Sequence, residues 1–72
     1  MDKELLSRRI KSQLALKGMG QPDLADHLGI ALTSVNNKLN GLSPWKDEEL
    51  FLLAQLFECS VDYLLGGDNG EL

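Results

Sequence analysis

Apolar residues recur along this chain at helical spacing, and no segment alternates as a strand does. Leu6, Ile10 and Leu14 fall at i, i+4 and i+8 with charged residues between them, which predicts an amphipathic first helix over roughly residues 2–17. "KGMG" (17–20) ends it: Gly18 suits the left-handed position beyond a helix, and Lys17 favours the negative helix end. Gly20 can cap a second helix, with Pro22 in its first turn. That segment, "QPDLADHLG", buries Leu24, Ala25 and Leu28 and stops at Gly29. Val35 and Leu39, one turn apart, form the inner side of a third helix that Gly41 ends. Ser43 and Pro44 are turn residues. Asp47, Glu48 and Glu49 then crowd the first turn of a fourth helix, where the helix dipole favours them. It runs to about Phe57, with Leu50, Leu53, Ala54 and Phe57 inward. Ser60 caps a short fifth helix, "VDYLLG". The expectation is an all-α domain of five short helices over residues 1–66, with a frayed tail at 67–72.

The third helix poses a problem. "LTSVNNKLNG" (32–41) holds Asn36, Asn37 and Asn40, although an asparagine amide competes with the helix for backbone hydrogen bonds. It also has no acidic residue, in a chain of net charge −4. That net charge argues against nucleic acid, because phosphate contacts want Lys and Arg. Its distribution changes the picture: residues 1–20 carry +3, residues 21–41 carry −1 and residues 42–72 carry −6. A polarised small protein can offer a basic face to DNA while its far side stays acidic.

Other chemistry is sparse. Seventy-two residues make one domain, whose core supplies only about 3–5 kcal/mol without staples. Cys59 is the single cysteine and cannot close an internal disulfide, which fits a reducing compartment and a small apolar core residue. The longest apolar run, "LFLLA" at 50–54, is too short to span a bilayer, and no secretory or lipidation pattern is visible; a soluble, cytoplasmic protein is expected. His27 lies beside Asp23 and Asp26 but has no second strong metal ligand near it, so it reads as surface. No nucleophile–base pair and no metal cluster point to an enzyme, and neither a cofactor nor a small-molecule ligand is expected. Trp45 is expected to pack over the start of the fourth helix.

Two short helices joined by a glycine-containing turn, the second flat and polar on one side, make a helix-turn-helix. Ala25 leaves room where the helices cross, Gly29 supplies the positive φ of the tight turn, and Ile30 and Val35 plug the corner. The spacing Ala25–Gly29–Val35 within "QPDLADHLGIALTSVNNKLNG", together with the ending "FECSVDYLLGG", resembles the lambda-repressor and Cro-like family of phage and bacterial regulators. The resemblance covers about residues 6–66 and implies that the third helix lies in the DNA major groove. It places Leu32, Thr33 and Asn37 at base-facing positions, with Asn36 beside them nearer the groove wall. It places Gln21, Asn40 and the backbone at Gly41 on phosphates, and Lys38, the one cation of the helix, is expected on its own account to contact phosphate as well. Asparagine pairs bidentately with adenine, and threonine offers a hydroxyl or a methyl. The asparagines thus give up helix propensity to present amides to DNA without negative charge.

The chain departs from the family pattern in three places. Lys38 stands where an apolar residue is common, leaving Leu39 to take over the packing. Leu32 replaces a usual polar reader, so it meets thymine methyls or reads nothing. Glu58 stands where glycine is frequent, in a turn that asks for left-handed backbone. Phe51, Leu52 and Leu56 add apolar surface beyond the filled inner side of the fourth helix, either as a dimer interface or covered by the first or fifth helix. The expected function is a sequence-specific double-stranded DNA-binding regulator, a phage-type repressor that occupies a promoter as a homodimer on a two-fold operator. The rival is an antitoxin- or antirepressor-like protein-interaction module on the same fold, which the acidic C-terminal third favours and the acid-free third helix disfavours.

Overall fold

The computed structural model describes residues 3–67. Its elements in order are α1 (Lys3–Leu16), α2 (Gln21–Leu28), α3 (Leu32–Leu39), α4 (Asp47–Phe57) and α5 (Val61–Leu64), with no strand among the described residues. The fold is all-α, and each helix lies within two residues of the bounds read from the sequence. Gly67, assigned above to the tail, is tied into the fold; the rest of that segment, 68–72, lies outside the described residues.

All five helices close by one device. Beyond α1, the Met19 amide donates to the Leu14 carbonyl at 2.9 Å and the Gly18 amide to Ala15 at 3.1 Å. The same pair of bonds recurs at Gly29–Ile30, Gly41–Leu42, Glu58–Cys59 and Gly66–Gly67. It satisfies carbonyls that a helix end would otherwise leave unpaired, and it needs a left-handed residue at the pivot. Glycine fills that pivot four times; Glu58, at φ 53°, is the exception. The helix starts are improvised as well. Gly20 and Lys46 have no side-chain oxygen to cap with, so the carboxylate three residues on reaches back: Asp23 Oδ2 accepts from the Gly20 amide and Glu49 Oε1 from the Lys46 amide, both at 2.8 Å. At α5, Ser60 Oγ accepts from the Tyr63 amide at 3.0 Å, as its position implied.

The core is the inner stripe of every helix. Leu6, Ile10 and Leu14 of α1 meet Leu24 and Ala25 of α2, Val35 and Leu39 of α3, Leu50, Leu53, Ala54 and Phe57 of α4, and Cys59 and Leu64. Leu28, expected inside, is only half-buried against it. Burial pushes the Cys59 thiol up, which suits an inert core residue. In this arrangement α2 packs on α3, α4 on α5, and α1 against both α4 and α5. Arg9 locks the last contact: its guanidinium lies 4.3 Å from the centre of the Tyr63 ring and donates to the Tyr63 carbonyl and, at 2.6 Å, to that of Gly67. One of the five basic residues of the first twenty is thereby spent on the fold.

Candidate nucleic-acid interface

The corner between α2 and α3 sets the site. Gly29 turns the chain at φ 70°, ψ 30°, and an added Cβ there would meet no atom within 4 Å, so conformation and not space calls for glycine. Ile30 packs against the core on the inner side of the corner while Leu24 and Val35 are fully buried beneath it. Fixed this way, α3 sends Val35, Lys38 and Leu39 inward and leaves its opposite side in solvent.

On that outer side Thr33 and Asn37 are exposed and Leu32 is 41% exposed, one turn of polar and apolar groups with no acid on the helix. Asn36 stands apart from them. It is half-buried, and its Oδ1 is sealed from solvent without a hydrogen-bond partner. Gln21 is half-buried at the first residue of α2, and Asn40 is exposed just past the end of α3.

Two of the expected phosphate holders are engaged elsewhere. Lys38 is 9% exposed; its ammonium donates to Glu49 Oε1 at 2.6 Å and to the Pro44 carbonyl at 3.2 Å, and lies 5.6 Å from the centre of the Trp45 ring. It is not available to DNA. The inner sector of α3 is wide enough to hold residues 35, 38 and 39 together, so Leu39 does not replace Lys38 in the packing; both are inside. Burial by itself pushes the Glu49 carboxyl up, but the hydrogen bonds from Lys38 and from the Lys46 amide, with attraction to both ammonium groups, hold it below the ordinary 4.5. Trp45 is half-buried against the core, with its Nε1 sealed and unpartnered. At Gly41 the amide donates to the Lys38 carbonyl at 3.2 Å and the next amide, Leu42, to Asn37 at 2.8 Å. The backbone there closes the helix, and the exposed glycine contributes close approach and no spare donor.

The basic groups beside this helix end come from α1. Arg8 and Lys11 are exposed and line, with Glu4, Ser7, Leu39, Asn40 and Gly41, a cleft of about 490 Å³ between α1 and the end of α3. Sequence reading counted these cations without placing them, because only the packing of α1 across the bundle brings them to Asn40. It also missed the Lys38–Glu49 pair. The signals were there: a lysine three residues after Val35, on the inner stripe, and a glutamate three residues after a helix start with no cap of its own. The supposed dimer set divides. Phe51 is 62% exposed and Leu52 half-buried, whereas Leu56 packs against the core and belongs to its margin.

Five short helices around one core, with a glycine corner that leaves one side of α3 in solvent, define a helix-turn-helix domain of the lambda-repressor-like class. The chain belongs to the BetR domain family, whose model matches residues 1–71. Its fold is similar to the solution structure of the DNA-binding domain of the P22 C2 repressor, with a TM-score of 0.77 and 26% identity over 97% of this chain and 92% of that one. No curated protein sequence matches the chain.

Proposed function

We propose that this domain is a sequence-specific double-stranded DNA-binding regulator, and that it represses by occupying a promoter as a two-fold dimer. The observation that carries the reading is the outer face of α3: exposed, acid-free and amide-bearing, on a helix that follows a glycine corner and buries its inner side. Such a face fits the major groove, which admits one helix and offers donor, acceptor and methyl groups in a unique pattern. Asn37 pairs its amide with an adenine edge; Thr33 and Leu32 meet neighbouring bases, Leu32 through a thymine methyl; Asn36 lines the groove wall. Gln21 and Asn40 hold the flanking phosphates and set the register. The P22 C2 repressor domain, named for DNA binding, supports the same use of the fold. The similarity is to a DNA-binding domain of a repressor, and the role inferred from it is binding.

Selection of bound duplexes from a random pool tests this directly and should return one short two-fold sequence. Against that sequence Asn37→Ala should lose roughly 1–3 kcal/mol and relax preference at one base pair, with the fold unchanged by circular dichroism. Equal loss on the selected and on random DNA would remove Asn37 from the readers.

A further inference from the structure

We propose that the cleft between α1 and the end of α3 is a phosphodiester-binding site in which Arg8 and Lys11 supply the charge that α3 lacks. The inference rests on the DNA-binding reading above and adds to it which residues hold the backbone. Three observations lead there. The lysine of α3 is consumed: Lys38 is buried on Glu49. Arg9, next in sequence to Arg8, is consumed as well, on the carbonyls that end α5. Arg8 and Lys11 are different. They sit three residues apart, hence on one face of α1, they are exposed, and they line the same cleft as Asn40 and Gly41.

The chemistry of the cleft suits one phosphate group of a strand running past α3. Two cations and the Asn40 amide are donors in reach of its lining, while Leu39 is the single large apolar contributor, too little for an organic ligand that needs apolar enclosure. Gly41, with no Cβ and nothing within 4 Å of where one would be, lets a backbone pass close to the helix end. Glu4 lines the cleft too, so its formal balance is +1. A helix laid in the major groove has phosphates flanking both its ends, and the cleft abuts the C-terminal one.

The test is the salt dependence of binding by the intact chain to its selected duplex, for wild type, Arg8→Gln, Lys11→Gln, the double variant and the charge-keeping Arg8→Lys. Each lost phosphate contact should reduce the slope of log affinity against log salt by about 0.9, and the double variant by about 1.8. The penalty of each single variant should then be roughly 3.5-fold larger at 50 mM than at 200 mM salt. Site preference should stay as in wild type, and Arg8→Lys should keep its slope. Both positions are exposed, and an unchanged denaturation midpoint confirms the fold. A double variant with the wild-type slope would overturn the proposal. So would saturation by inorganic phosphate at sub-millimolar concentration without any change in the DNA slopes, which would make the cleft a small-anion site. Wild type that binds no duplex from the random pool would instead overturn the DNA-binding reading itself, and this inference with it.

Discussion

Glu58 holds φ 53°, ψ 44° at the pivot that ends α4, where each of the other four helices uses glycine. A side chain in that region brings Cβ against the following carbonyl, at a cost of about 1–2 kcal/mol. Its side chain is exposed to solvent. Glu58→Gly should therefore raise stability by about 1 kcal/mol, seen as a higher urea midpoint at unchanged slope, while Glu58→Ala, which keeps the Cβ, should gain little. A midpoint equal to wild type for the glycine variant would mean that the turn is not strained. The position was legible from sequence, since a glutamate stood where a left-handed turn was expected. The same holds for the turn at Gly29 and for the solvent exposure of Asn37, which are set by neighbours a few residues away.

Helix α3 is pinned to α4 by a buried ion pair, and two consequences follow at the scale of elements. Removing one member leaves the other charged and buried, which costs ~3–5 kcal/mol, comparable with the stability of so small a domain. Glu49→Leu alone should therefore largely unfold the chain in a guanidinium titration. Lys38→Leu with Glu49→Leu should recover most of the loss, since apolar packing often equals a buried pair. A second consequence concerns pH. The Glu49 carboxyl is held below its ordinary value in the folded state, so the pair's stabilisation is fully present above about pH 4.5 and is lost as pH falls through the depressed folded value. Acid unfolding should accordingly begin below that point, and a Lys38→Leu, Glu49→Leu chain should withstand more acid than wild type. Equal acid midpoints would show that other carboxylates govern the transition. Each residue carried its own local signal, but their pairing was not readable from either alone, since eleven positions and a turn separate them.

On the proposed reading, one such domain brings one helix and few cations to DNA, and two copies would double those contacts. The molecule measures 30 × 23 × 20 Å, so two side by side can present α3 to half-sites one helical turn, ~34 Å, apart. We propose Phe51, 62% exposed on α4, and its neighbour Leu52 as the apolar surface for that contact; Leu56 packs at the core margin. Phe51→Glu should weaken self-association in equilibrium sedimentation and DNA affinity together, while the helical circular dichroism persists. A wild-type chain that stays monomeric yet binds one compact site tightly would overturn the dimer and give the Phe51 surface to another protein.

The sequence alone determined everything written in local or periodic terms. The five helices, the four glycine ends, the corner at Gly29 and the acid-free outer face of α3 all follow from spacing and from single-residue backbone preferences, which act within one or two turns. Only the tertiary structure decided where the charges went. Seven basic residues look alike in a string, but packing buries Lys38 against Glu49, folds Arg9 onto the carbonyls ending α5, and brings Arg8 and Lys11 to the end of α3. A long cationic side chain has no periodic preference of its own. Its partner is whatever acceptor the assembled helices place within reach, and that pairing exists only once the bundle has formed.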